Sequence, residues 1–98
     1  MGSKDGYGLM EFADGSEYSG EFANNLIQGE GTYTFANGDV YTGNFHNQRY
    51  EGIGTYTWTN GNQFIGEWSN GVKKGRGLMT FADGTTQEGV WENDQFVA

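Results

Sequence analysis

The side chains able to do chemistry are few and scattered. The 98 residues contain one histidine, no cysteine and 13 carboxylates. Without cysteine there is no thiol nucleophile, disulfide or zinc–thiolate site. His46 has no partner at metal-ligand spacing and reads as a solvated loop histidine. Ser16, Ser19 and Ser69 lack the glycine-flanked pattern of a nucleophile elbow. Glu17 and Glu21 form a carboxylate pair of the kind used in acid–base work, but they sit in an alternating segment that puts them on an exposed strand. Gly31 and Gly54 belong to Gly-x-Gly pairs. A dinucleotide loop needs a strand-to-helix transition, and no helical periodicity follows either pair. Asn37-Gly38-Asp39 has a faint likeness to calcium turns, which belong to nonapeptide β-helix repeats. No catalytic residue, metal site or cofactor is expected.

Charge and composition narrow the field further. The net charge of −8 opposes nucleic acid and anionic surfaces in general. Lys73, Lys74 and Arg76 form the one basic cluster and the candidate anion contact. There is no long apolar run for a membrane span and no signal-type apolar region near the start. Hydrophobic content of 35% argues against a thick two-layer core, while 16% aromatics argue against a disordered linker.

The elements that must position these residues follow from repetition, which outranks local propensity. On a period of 23, every one of the 18 glycines except Gly2 and Gly71 falls in register. One column is Gly15, Gly38, Gly61 and Gly84; another is Gly20, Gly43, Gly66 and Gly89. Aromatics repeat too: Phe12, Phe35, Trp58 and Phe81; Phe22, Phe45, Trp68 and Trp91; Tyr18, Tyr41 and Phe64, ending in Gln87. Tyr33 and Tyr56 share a column with Met10 and Met79. Asn24, Asn47, Asn70 and Asn93 form a further column.

Within one unit, residues 31–35 and 39–45 alternate with period two, which predicts two strands. Asn37-Gly38 between them predicts a hairpin whose three-residue loop has Gly38 in the left-handed region as a G1 bulge. Residues 46–51 read as a short polar connector, so successive hairpins are neighbours. Gly43, on the aromatic face between Tyr41 and Phe45, marks either a bend or a slot for a ring from the next strand. The expected fold is all-β: a single elongated, twisted antiparallel meander of about eight strands in about four stacked 23-residue hairpin repeats. A lone hairpin is marginal, so stability comes from repeat stacked on repeat. The expected organisation is an appended or disordered start over 1–5, then one domain over 6–98. That domain has a half unit 6–17, repeats 18–40, 41–63 and 64–86, and a half unit 87–98.

The string Tyr18-Ser19-Gly20-Glu21-Phe22, then Gly29-Glu30-Gly31, Thr32-Tyr33-Thr34-Phe35 and Asn37-Gly38 resembles the MORN-repeat family. It recurs from Tyr41 and from Phe64, and the likeness covers roughly 6–97. Phe64 and Gln87 depart from the tyrosine column. The resemblance implies an elongated sheet with a groove along it, and non-catalytic work in protein–protein interaction, scaffolding and tethering. It also implies a cytoplasmic setting, with cytoskeletal or membrane association, and links to phospholipids.

The expected function is therefore a non-enzymatic module that binds a partner segment, peptide or helix, along an aromatic groove. Tyr33, Tyr41, Phe45, Tyr56, Trp58 and Trp68 are the expected platform. The connector column Ile27, Tyr50, Lys73 and Phe96 either lids the ring row or forms a contact ridge; an apolar stripe with a polar rim marks an interaction site. Unpaired edge strands and an uncovered aromatic face favour a homodimer or edge-to-edge association. The rival readings are phosphoinositide or anionic-membrane binding through residues 73–76, glycan or choline binding by the rings, and a repeat fragment without activity of its own.

Overall fold

The computed structural model describes residues 6–24 and 26–98; the expected appended start over 1–5 lies outside them. Alternating side chains and glycine-closed turns produce strands throughout, with no helix among the described residues. The strands are β1 (Gly6–Glu11), β2 (Glu17–Ala23), β3 (Leu26–Thr34), β4 (Val40–His46), β5 (Arg49–Thr57), β6 (Gln63–Ser69), β7 (Val72–Thr80), β8 (Thr86–Glu92) and β9 (Gln95–Phe96). They form one antiparallel sheet in chain order, β1 to β9. The molecule measures 49 × 23 × 17 Å, elongated as a repeat-on-repeat meander requires.

Two kinds of turn alternate. At the Asn-Gly turn the Gly38 N–H donates to the Phe35 carbonyl at 2.9 Å and the Phe35 N–H to the Asp39 carbonyl at 2.8 Å. Gly38 has φ 99°, so the loop has three residues and the G1-bulge geometry that only glycine adopts without strain. The neighbouring side chains support such turns. Ser16 donates its hydroxyl (2.6 Å) and its N–H (2.9 Å) to Asp14, which holds that carboxyl below its ordinary range. Thr85 does the same for Asp83.

The second turn corrects the expected connector. Residues 46–51 are not a loop but a hairpin. Asn47 (φ 51°) and Gln48 (φ 66°) form a two-residue turn with both residues at positive φ, the type I′ signature. Asn93 and Asp94 repeat it, at φ 48° and 71°. The asparagine column is therefore the first position of a turn, since asparagine tolerates the left-handed region better than most residues. Strands β3, β5 and β7 each gain residues that were expected in connectors, and β9 brings the count among the described residues to nine rather than about eight.

The long strands carry a register shift. Gly20 pairs with Gly31 but Phe22 pairs with Ile27, and the same step recurs between Gly43 and Phe45 and between Gly66 and Trp68. The extra residues are tied off by side chains: the Glu30 N–H donates to the Glu21 carboxylate at 2.8 Å, and the Arg76 N–H to that of Glu67 at 3.0 Å. Glu21 is thus a ladder substitute, which gives a structural use to one member of the Glu17–Glu21 pair noted above.

Across the sheet the register lines up a row of glycines: Gly8, Gly20, Gly31, Gly43, Gly54, Gly66, Gly77 and Gly89. The row is the slot reading of Gly43, carried one strand further. A Cβ on Gly31 would overlap the Tyr18 phenol, one on Gly54 the Tyr41 phenol, and one on Gly77 the Phe64 ring. Each ring lies over the glycine of the following strand and is completely buried: Tyr18, Tyr41 and Phe64 are all at 0% exposure.

Candidate binding groove

Apart from Tyr7, which is exposed on the other side of the sheet, the large rings in contact with one another lie on one face, in two rows. The first row is a chain of edge-to-face contacts. Tyr18 meets Phe22 (5.1 Å, 89°) and Phe45 (5.3 Å, 89°). Tyr41 meets Phe45 (5.1 Å, 80°) and Trp68 (5.6 Å, 90°). Phe64 meets Trp68 (5.4 Å, 89°) and Trp91 (4.8 Å, 75°), and Trp91 meets Phe96. This geometry sets the positive edge of one ring on the negative face of the next. The polar atoms are satisfied inside it: the Tyr18 hydroxyl donates to the Glu21 carbonyl (2.9 Å), that of Tyr41 to the Asn44 carbonyl (3.0 Å), and the Trp68 indole N–H to the Gly54 carbonyl (3.1 Å). Burial pushes the Tyr41 phenol up to about 12, against the pull of its hydrogen bond to Asn44.

The second row runs along the Asn-Gly turn end of the sheet. Phe12 stacks on Tyr33 (5.7 Å), Tyr33 touches Phe35 (4.8 Å), Phe35 touches Tyr56 (5.6 Å) and Tyr56 touches Trp58 (4.6 Å). These rings are only partly buried and pack against the first row. Their hydroxyls are anchored by the residue after each turn glycine. Tyr56 donates to Asp39 at 2.9 Å, and Tyr33 lies 3.1 Å from Ser16 Oγ. Asp39 also accepts the Thr59 N–H at 3.0 Å and so links successive hairpins. Burial and the Asp39 contact raise the Tyr56 pKa above its ordinary value.

Between the rows lies a cleft of about 220 Å³ lined by Ile27, Tyr33, Phe35, Phe45 and Tyr50, and also by Gln48, Arg49 and Gly71. Of the expected platform, Tyr33, Tyr56 and Trp58 are half-buried and line the open face. Tyr41, Phe45 and Trp68 are core, at 0%, 5% and 5% exposure; they hold the platform up rather than form its top. Phe35, absent from the expected platform, lines the cleft. Its signal in the sequence is the column Phe12, Phe35, Trp58 and Phe81, of which only Trp58 was expected to face a partner.

The column Ile27, Tyr50, Lys73 and Phe96 lies on strands, not in connectors, and its members are not alike. Ile27 is buried at 6%. Tyr50 stacks on Tyr41 (4.1 Å, 17°) and touches Phe35, Phe45, Tyr56 and Trp68; burial raises its pKa. Phe96 is 40% exposed. The Lys73 ammonium sits over Trp58 (5.3 Å), Phe64 (5.6 Å) and Trp68 (5.7 Å) and lies 3.7 Å from the Asp94 carboxylate. Lys73 is therefore engaged with rings and a carboxylate, whereas Lys74 and Arg76 are exposed.

His46 is exposed, with its Nδ1 3.1 Å from Gln28 Nε2. Among the described residues no group of three or more His, Asp or Glu is placed to hold a metal ion. The opposite face of the sheet carries Thr32, Thr42 and Glu30 around a shallow, mixed-polarity depression, with Tyr7, Leu9, Ile53 and Ile65 exposed.

Compared with curated proteins, the chain matches none. The family model for the MORN repeat matches residues 1–17, 18–40, 41–63 and 64–86 in unbroken succession. With hairpins of that period joined into one meander, and with the repeat's glycines and rings in the slots just described, the chain belongs to the MORN-repeat family.

Proposed function

We propose that this chain is a binding module that takes a protein segment along the half-buried ring row. Repeats of this family are non-enzymatic protein- or membrane-interaction modules. The observation that carries the reading is the difference in burial between the two ring rows. Tyr18, Tyr41 and Phe64 complete the core, while Tyr33, Phe35, Tyr56 and Trp58 leave part of their surface open, the first two of them lining an apolar cleft. Large rings kept partly in water beside such a cleft are the usual anchors of an interface.

Selection of displayed peptides on the immobilised chain tests this, with each selected peptide titrated against wild type and a Phe35→Ser/Trp58→Ser double variant. Selected peptides are expected to lose at least about tenfold in affinity on the double variant, whose melting confirms that it is folded. Peptides that bind both forms equally, or a selection that enriches none, overturn the reading. Vesicle flotation supplies the contrast: retention on phosphoinositide vesicles that disappears when Lys74 and Arg76 are neutralised would favour the membrane alternative, carried by those two exposed cations.

A further inference from the structure

We propose that the cleft between Ile27 and Tyr50 takes an ammonium-bearing side chain of the partner segment, that of lysine or its methylated forms. The inference rests on the groove reading above and names what one part of the groove recognises.

The argument begins with Lys73. A lysine in a ring-lined sheet face is costly unless its charge is compensated. Here the compensation is three rings at 5.3, 5.6 and 5.7 Å from Nζ, together with Asp94 at 3.7 Å. Those distances lie within the range in which a cation is attracted by an aromatic quadrupole. The rings are Trp58, Phe64 and Trp68, which stand in the columns of Phe35, Tyr41 and Phe45 one repeat earlier. The groove thus already holds one ammonium, its own; one repeat earlier the Tyr50 ring takes the equivalent place on Phe35, Tyr41 and Phe45, and Phe35, Phe45 and Tyr50 line the open cleft beside it.

In the earlier repeat that arrangement is differently filled. Tyr50 replaces lysine in the column and lies on Tyr41. Ile27, one repeat before it, is shorter than either. The open volume of about 220 Å³ lies between Ile27 and Tyr50, with Tyr33, Phe35 and Phe45 around it. Its rings meet at steep angles, 88° between Phe35 and Tyr50 and 69° between Phe45 and Tyr50, so an occupant is approached from several directions, as an ammonium group requires. No carboxylate lines the cleft, so local recognition falls to the rings, while the net charge of −8 favours the approach of a cationic partner. Arg49, which also lines the cleft, works against this and makes the charge preference a sharp thing to measure.

The test uses the full chain and three small probes: the N-acetyl amide of trimethyl-lysine, its neutral isostere with a tert-butyl carbon in place of nitrogen, and an analogue ending in a carboxylate. Aromatic resonances of Tyr33 and Tyr50 are followed by NMR on titration. The ammonium probe is expected to saturate them about tenfold more tightly than the neutral isostere, and the carboxylate not at all. Phe35→Trp and Phe35→Leu then grade the effect. Tryptophan is tolerated in this column, as Trp58 shows, and is the best cation partner. Ammonium affinity is expected to fall in the order Trp, Phe, Leu, while affinity for the neutral isostere stays flat. Equal binding of ammonium and neutral probes overturns the inference and leaves the apolar groove standing. Tighter binding of the carboxylate, absence of any saturable shift, or an ammonium affinity indifferent to residue 35 in two folded variants also overturns it. Failure of the groove itself is read separately, from the peptide titrations.

Discussion

The two ring rows use the same residue types on the same face of alternating strands, yet one is core and the other is surface. Tyr18 and Tyr41 are fully buried, whereas Tyr33 and Tyr56, from the adjoining strands, remain half-buried. The glycine row makes the difference. A ring that lies over Gly31, Gly54 or Gly77 reaches the backbone of the next strand and is sealed by its neighbours. A ring near the Asn-Gly turns has no glycine beneath it, and its hydroxyl is held at the margin by Ser16 or Asp39. Burial in a single-layer sheet is thus set by where a side chain is missing as much as by where one is present.

The comparison is broken most severely by removing one ring from each row. Tyr41→Ala leaves a void among Phe45, Tyr50 and Trp68 and removes the hydrogen bond from its hydroxyl to the Asn44 carbonyl. Removal of a buried ring is expected to cost about 3–5 kcal/mol. Trp58→Ala, from the half-buried row, is expected to cost about 1–2 kcal/mol because part of its surface is already in water. Chemical denaturation of both variants checks this. Equal losses would mean that both rows are core and that no ring is spare for a partner.

The next largest effect adds an atom instead of removing a ring. Gly54→Ala puts a methyl group into the Tyr41 phenol, and overpacking of a rigid site is expected to cost about 3 kcal/mol. Gly84→Ala has open space around its Cβ but φ +94°, so it carries only the cost of a left-handed L-residue, about 1–2 kcal/mol. Thermal melts that rank the two the other way would show that turn strain, not the ring slot, conserves the glycine pattern within the chain.

Much of this was legible from residue order, and the parts that were not have physical causes. Periodicity places the hairpins and puts Tyr41, Gly43 and Phe45 on one face, because alternation is a property of the backbone. The Asn-Gly turn is equally legible, since few sequences satisfy a left-handed residue at its third position. The second turn is hidden at His46-Asn47-Gln48-Arg49, whose left-handed pair is Asn47 and Gln48 and where glutamine carries no turn signal; its copy at Asn70-Gly71 (φ 51° and 87°) carries the Asn-Gly signal openly, but Gly71 stands outside the 23-residue glycine columns and is passed over. The division of the rings into two rows is also invisible, since Tyr33 and Tyr41 are the same residue type in equally good strands. Only the cross-strand register, with Gly31 beside Gly43, says which ring has a slot. For the same reason Phe35 is passed over as a cleft residue and Tyr41 is expected at the surface.

Alkaline pH sharpens the comparison without mutation. A tyrosine is neutral when protonated, so a folded pKa raised by burial means that the folded state keeps a proton the unfolded chain has released. For Tyr41, raised from 10.0 to about 12, the contribution to stability is complete below pH 10 and is lost as pH rises through 12. Tyr50 shifts in the same direction, by burial first and then by the neighbouring Tyr56. Denaturation midpoints are expected to be flat up to pH 10 and to fall above it. A Tyr41→Phe variant should show a shallower fall, and an unchanged slope would place the sensitive tyrosine elsewhere.

The smallest effect concerns the hydroxyl alone, and the chain already contains the relevant comparison. Phe64 occupies the third slot, over Gly77, with Trp68 and Trp91 edge-to-face in the places that Phe45 and Trp68 take around Tyr41, but with no hydroxyl. Ring burial therefore suffices to fill a slot, and the bond from the Tyr41 hydroxyl to the Asn44 carbonyl (3.0 Å) is an increment on top of it. Such a bond contributes about 1 kcal/mol net, so Tyr41→Phe is expected to lose about that much at neutral pH. The reciprocal change, Phe64→Tyr, directs a hydroxyl toward the carbonyl of Glu67, which stands three residues on as Asn44 does from Tyr41. It is expected to gain up to about 1 kcal/mol. A gain in one and a matching loss in the other would make the slots equivalent. A loss in both would mean that Gly77 holds its ring more closely than Gly54 does, and that the repeats have diverged in packing while keeping their register.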